Sequence, residues 1–93
     1  MKKISKDSTV MVMDNVVSCD LDGEAAILNM DDGVYYGLDP IGAKIWNFIQ
    51  KPILIDDVVE LILNEYDVEP EHCREDILEL IVELMNNGLV EIK

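Results

Sequence analysis

Apolar residues follow two different spacings along the chain, and the change comes near Asp39. Before this point, short runs rich in β-branched and aromatic residues alternate with turn sequences of Asp, Asn and Gly; the runs are residues 10–13, 16–19, 25–30 and 34–38. Such runs predict antiparallel hairpins. The strongest turn is residues 31–33 (Asp-Asp-Gly), because its glycine accepts a positive φ. We therefore expect a meander of three strands, the first of them interrupted near residues 14–15.

Beyond Asp39, apolar residues recur every three or four positions, which predicts helices. The expected helices cover residues 39–51, 55–66 and 69–88, and residues 89–92 fit a last short strand. The first and third begin with an acidic residue followed by proline, whose missing N–H costs nothing at the first helical position. Asn87-Gly88 is typical of a left-handed helix C-terminus.

The order of these elements predicts an α+β fold, in which a three-stranded antiparallel sheet precedes a three-helix, winged-helix-like bundle. We expect one domain over residues 1–93, with the sheet in residues 8–38 and the helices in residues 39–88. A chain of 93 residues is close to the size at which a single hydrophobic core sustains a fold.

The charge of the chain is strongly negative and unevenly distributed. Seven Lys or Arg face 20 Asp or Glu, a net charge of −13. Residues 53–93 hold twelve acids against Arg74 and Lys93, which leaves −10 in the C-terminal part. Nucleic acids and anionic membranes need the basic residues that this chain lacks. We expect a basic or neutral partner on the later helices.

Targeting and redox signals are weak. The N-terminal lysines precede no apolar stretch of signal-peptide length, and no run reaches the length of a membrane span. Cys19 and Cys73 have no metal or redox spacing, so we expect two reduced thiols and a cytoplasmic protein.

Sequence patterns of catalytic or metal sites are also lacking. The stretch Asp20-x-Asp22-Gly23 begins like a calcium loop, but the remaining ligands are missing, and a hairpin turn explains it better. His72 and Cys73 are neighbours in a helix and point about 100° apart, which fits neither a zinc site nor a Cys–His pair. We expect no enzymatic activity, no metal and no cofactor.

The last strand of the meander has the most distinctive composition. It comprises Val34, Tyr35, Tyr36, Gly37 and Leu38. The last strand of a meander lies at an edge, and this one has no Lys, Pro or charge to protect it. Such an edge suits the addition of a peptide strand from a partner. Coverage by the domain's own helix or by a dimer partner is the alternative.

The segment from Tyr35 to Trp46 (YYGLDPIGAKIW) closely resembles the strand-to-helix segment of PqqD-like proteins. Residues 28–30, 57–66 and 83–90 also resemble that family, and the similarity covers residues 10–92. The resemblance implies a precursor-peptide recognition element of ribosomal peptide natural-product pathways, such as those of pyrroloquinoline quinone and lasso peptides. Such proteins bind the leader of a precursor peptide and present it to a leader peptidase, a cyclase or a radical SAM enzyme, and they catalyse nothing themselves.

The resemblance also implies a binding site, in which the leader adds to the third strand of the sheet and packs on the third helix. Carried onto this chain, the strand is Val34 to Leu38, and the helix face is Cys73, Asp76, Ile77 and Leu80. Acids near Asp76 favour Lys or Arg in the leader. Leu38, Ile45 and Trp46 are expected to be core residues. The rival interpretation is a structural or regulatory winged-helix-like domain that forms a homodimer through the same edge strand.

Overall fold

We analysed a computed structural model of the chain, which describes Ile4 and residues 7–93. The N-terminal lysines considered above lie outside the described residues. The strands are β1 (Thr9–Val12), β2 (Val16–Leu21), β3 (Glu24–Asn29), β4 (Val34–Leu38), β5 (Ile53–Leu54) and β6 (Val90–Ile92). The helices are α1 (Pro40–Phe48), α2 (Ile55–Glu65) and α3 (Pro70–Asn86). The predicted α+β class, with an antiparallel sheet before three helices, is confirmed.

The main sheet is the antiparallel meander β2-β3-β4. Its first hairpin turns through Asp22 and Gly23, with φ of 58° and 93°. Positive φ at both central residues matches the right-handed twist of the flanking strands. The second hairpin turns through residues 30–33, where Gly33 has φ of 70°. In this sheet Ile27 pairs with Tyr36, and Asn29 pairs with Val34.

The prediction that residues 10–13 belong to the meander is wrong. The chain does turn at residues 14–15, but β1 leaves the meander and lies between β5 and β6 in a second small sheet, where Val10 pairs with Ile53 and with Ile92. The predicted last strand is present as β6. The local residue pattern indicates that residues 10–13 form a strand, but it does not indicate which strands they pair with. The partner strand β5 has only two residues, which is too short for a recognisable pattern.

The helix boundaries follow from the signals in the sequence. Asp39 caps α1 by accepting a hydrogen bond from Gly42 N at 2.7 Å, and Pro40 follows it. α3 ends at Asn86, with Gly88 in the left-handed region at φ of 73°. Among the described helices, none is long and apolar enough to cross a membrane.

The core lies between the meander and the three helices. It contains Trp46 from α1, as expected, together with large side chains that are almost completely buried. These are Val10, Ile27, Ile49, Ile55, Val58, Val59, Ile81, Leu84 and Leu89. Because β3 contributes Ile27 and α3 contributes Ile81 and Leu84, this core fixes the sheet relative to α3. That placement creates the site described next.

Candidate functional site

A groove of about 550 Å³ separates β4 from α3. Residues from the start of α1, the end of α2 and the following loop complete its lining. The lining residues are Tyr36, Gly37, Leu38, Asp39, Ile41, Gly42, Ile45, Ile62, Tyr66, Val68, His72, Cys73, Asp76, Ile77, Leu80 and Glu83. The groove is therefore mainly apolar, with acidic side chains placed along it.

One wall of the groove is β4, which is the last strand of its sheet. Within the described residues, β4 pairs with β3 alone, so its other edge is free for pairing. Side chains alternate along a strand, which puts Tyr36 and Leu38 on one face and Tyr35 on the other. Gly37 contributes only backbone, and a Cβ built there would meet nothing within 4 Å. A second chain can therefore approach the backbone of β4 closely.

The opposite wall, called here the α3 wall, consists of His72, Cys73, Asp76, Ile77, Leu80 and Glu83. Their spacing of one, three or four positions places them along one stripe of the helix. Cys73 and Ile77 are buried, so they form the base of this wall, while Leu80 is half-buried and Asp76 is exposed. The wall thus offers apolar surface at its base and charge at its rim.

Tyr36 and Glu83 join the two walls at one end of the groove. The Tyr36 hydroxyl donates a hydrogen bond to Glu83 Oε2. Burial, this hydrogen bond and the Glu83 charge raise the pKa of Tyr36 to about 12. The hydroxyl therefore stays protonated through the neutral range and remains a donor to the carboxylate.

A second link between the meander and the C-terminal end of α3 is the amide of Asn29, which is buried at the end of β3. Its Nδ2 donates to the backbone oxygen of Asn87 at 3.0 Å, directly after α3. Its Oδ1 accepts from Asn15 Nδ2 at 3.0 Å and from Asp31 N at 2.9 Å. Asn29 therefore ties the β3-β4 hairpin to the C-terminal end of α3 and helps to set the width of the groove.

The groove has a negative electrostatic character. Three carboxylates line it, from Asp39, Asp76 and Glu83, and no lysine or arginine is among the described lining residues. Basic side chains nearby are paired elsewhere: Lys44 Nζ lies 2.7 Å from Glu65, and Arg74 lies 3.2 Å from Asp56. An occupant with basic groups would therefore meet attraction without a competing cation in the lining.

Comparison with known protein families matches residues 24–90 to the family described as "Coenzyme PQQ synthesis protein D (PqqD)". That match spans well over half of the chain. The chain belongs to the PqqD family. The resemblance identified from residues 35–46 is thereby confirmed. Comparison with curated proteins finds no match.

Two solved structures resemble this member of the PqqD family. The first, "TbiB1 in Complex with the TbiA(beta) Leader Peptide", has 31% sequence identity and a TM-score of 0.83, over 87% of this chain and 94% of that one. The second, "Lasso peptide synthetase B1 complexed with the leader peptide", has 23% identity and a TM-score of 0.79, over 88% of this chain and 96% of that one. At that identity, the second likeness establishes the fold alone.

The structure brings together most residues predicted for the site of this PqqD-family chain. Those that line the groove are Tyr36, Gly37, Leu38, Cys73, Asp76, Ile77 and Leu80. Val34 and Tyr35 belong to β4 but lie outside the groove, and both are exposed. Leu38 and Ile45 are buried as expected, yet they also line the groove.

Sequence reasoning missed several lining residues. Glu83 continues the helical stripe one turn beyond Leu80, so the spacing itself could have identified it. Ile41 lies in the first turn of α1, and its helical spacing indicated only that it belongs to that helix. Val68 lies in the loop between α2 and α3, where periodicity gives no signal. His72 was considered only as a metal ligand or base, although it lies next to Asp76, with 3.5 Å between Nε2 and Oδ2.

Proposed function

We propose that this protein binds the leader segment of a ribosomally made precursor peptide and presents it to the enzymes that modify that peptide. The observation that carries this proposal is the free edge of β4 beside the groove. A peptide added to that edge gains backbone hydrogen bonds from β4 and apolar contacts from the α3 wall. Both sources of affinity are typical of recognition by strand addition.

The side chains of the added strand would divide between two faces, because they alternate along a strand. Those on the groove side would lie near Ile77 and Leu80, and Lys or Arg among them would lie near Asp76. The remaining peptide side chains would lie beside Tyr35 and Gly37 on the outer face of the sheet. The proposed peptide site thus includes Val34 to Leu38 together with Cys73, Asp76, Ile77 and Leu80, and Ile41 of α1 adds apolar lining.

The solved relative supports this assignment. TbiB1, which is 31% identical to this chain, is described in complex with the TbiA(beta) leader peptide. Because the two folds match over most of both chains, we infer that this protein binds a leader peptide as well. The partners would be a leader peptidase, a cyclase or a radical SAM enzyme, and the complex would form in the cytoplasm, where precursor peptides are made.

The groove is better suited to binding than to catalysis. The groove contains the thiol of Cys73. Burial raises the pKa of this thiol, and the charge of Asp76 raises it further. A raised pKa leaves less of the reactive thiolate. The neighbouring His72 also lines the groove, but adjacent helix positions diverge by about 100°, and its Nε2 lies 3.5 Å from Asp76 Oδ2. We therefore assign the protein a non-enzymatic role without a metal or cofactor.

Fluorescence anisotropy with a labelled leader peptide tests the proposal. The probes are synthetic leaders of the precursors encoded beside the gene for this protein, with the TbiA(beta) leader for comparison. Ile41 lines the groove with 43% of its surface exposed, so Ile41→Gln removes apolar contact without disturbing the core. We expect about tenfold weaker binding, or ~1–1.5 kcal/mol, for burying the remainder of an isoleucine.

The matched control is Leu61→Gln on α2. Leu61 is 37% exposed and lies outside the groove lining, so its substitution should leave affinity unchanged. Equal effects of the two substitutions, or no binding of any leader by the wild type, would contradict the proposed function.

A further inference from the structure

Acidic and apolar side chains alternate along the rim of the α3 wall. Asp76 lies toward one end, Leu80 in the middle and Glu83 at the end closed by Tyr36. At a rise of about 1.5 Å per residue, Leu80 lies ~6 Å from Asp76 along the axis, and Glu83 lies ~10.5 Å from it. The wall therefore presents an acid, an apolar side chain and a second acid in sequence, ~6 Å and ~4.5 Å apart along the axis.

A strand added to β4 has a matching repeat. Its groove-facing side chains recur at every second residue, about 6.6–6.8 Å apart, so three of them span ~13 Å. This span exceeds the ~10.5 Å between Asp76 and Glu83 along the helix axis by about 3 Å, which long, flexible basic side chains can bridge. For a strand that runs along α3 with its middle side chain at Leu80, the outer two come within reach of Asp76 and Glu83.

Both acids retain capacity for a cation. The Asp76 side chain is 64% exposed beside His72. Glu83 uses Oε2 for the Tyr36 hydroxyl, and a carboxylate accepts further hydrogen bonds through its other oxygen. Asp39, the third acid of the lining, caps α1 through Oδ1 and lies outside the α3 wall, so it does not belong to this row of side chains.

On the basis of the proposed function, we propose that the groove selects leader segments with the pattern basic–x–apolar–x–basic, where x faces away from α3. Asp76 and Glu83 are the specificity-determining residues for the two basic positions, and Leu80 contacts the apolar one. The pattern reads the same in both chain directions, so the selection holds for parallel and for antiparallel addition to β4.

Selection from a display library of random linear peptides tests this pattern without a known leader. We expect the wild type to enrich peptides with two Lys or Arg four positions apart and an apolar residue midway. Asp76→Asn should remove the preference at one basic position, and Glu83→Gln should remove it at the other. Each substitution should weaken a wild-type-selected peptide about two- to fivefold, as for a partly exposed ion pair.

Glu79→Gln is the matched control, because Glu79 is exposed on α3 outside the groove lining, and its selected motif should equal that of the wild type. Two results would overturn the selectivity while leaving the proposed function in place. In the first, the enriched peptides bind Ile41→Gln more weakly than the wild type but lack the basic pair. In the second, Asp76→Asn and Glu83→Gln both still select peptides with the basic pair. The proposed function itself would be overturned if no peptide were enriched, or if the enriched peptides bound Ile41→Gln as tightly as the wild type.

Discussion

The Tyr36–Glu83 hydrogen bond links β4 to α3, and its removal gives a sharp prediction for stability. Tyr36→Phe deletes the hydroxyl and keeps the ring. Hydrogen bonds to charged groups contribute more than neutral ones, but this bond lies near solvent, so we expect a loss of about 1 kcal/mol at neutral pH. Tyr35→Phe is the control, because Tyr35 lies on the opposite face of the sheet and is 69% exposed.

The pH dependence of that loss follows from the raised pKa of Tyr36, which moves from 10.0 to about 12. Between these values the unfolded chain has released the hydroxyl proton and the folded chain still holds it. The folded state therefore binds more protons, and stability falls as pH rises through this window. Two pKa units correspond to about 3 kcal/mol, which solvent screening reduces to about 1–2 kcal/mol.

Urea denaturation followed by fluorescence of the single, buried Trp46 measures this dependence. The wild type should exceed Tyr36→Phe in stability at about pH 8, and the difference should shrink or reverse at about pH 11. The difference between the wild type and Tyr35→Phe should stay small at both. A stability difference for Tyr36→Phe that does not change with pH would refute the assigned hydrogen bond.

Three further predictions concern the frame of the groove. Asn29→Ala should cost about 1–2 kcal/mol in urea denaturation, because it deletes a buried amide that makes three hydrogen bonds, whereas the exposed helix substitution Asn47→Ala should not destabilise the protein. Asp39→Ala should cost about 1 kcal/mol by removing the cap of α1, and an unchanged midpoint would contradict that role. In the native protein Cys19 should react quickly with Ellman's reagent, and Cys73 should react only on unfolding, since it is buried with a raised pKa. Equal rates for both thiols would contradict the buried position.

The elements of the fold could be predicted from the sequence because their boundaries carry local chemistry. Asp39 and Pro40 start α1, and Gly88 follows the end of α3, with signals that depend only on neighbouring residues. The partner of β1 could not be predicted in this way. Residues 10–13 look like any other strand, and their pairing with β5 and β6 depends on packing between distant parts of the chain.

The site was predictable to the extent that it repeats a regular spacing. The β4 edge was indicated by the residue pattern of the strand, whereas the helix face from Cys73 to Leu80 was assigned through the resemblance to PqqD-like proteins. Its helical spacing extends to Glu83. Val68 and the Asn29 link to Asn87 lie outside such repeats. These contacts arise where a loop or a turn meets another element, and only the folded structure brings them together.

Backbone hydrogen exchange tests the central assignment most directly, because β4 and β2 are the two end strands of the same sheet. In the protein alone, the amides of β4 that face away from β3 should exchange quickly, except for the Val34 amide, which donates to Asp32 Oδ1 at 2.9 Å. Saturation with leader peptide should slow every second amide between Val34 and Leu38, since alternate residues of a strand face the new partner. The amides at the free edge of β2 should not change. Slowed exchange along β2, or no change along β4 at saturating peptide, would contradict strand addition at this edge.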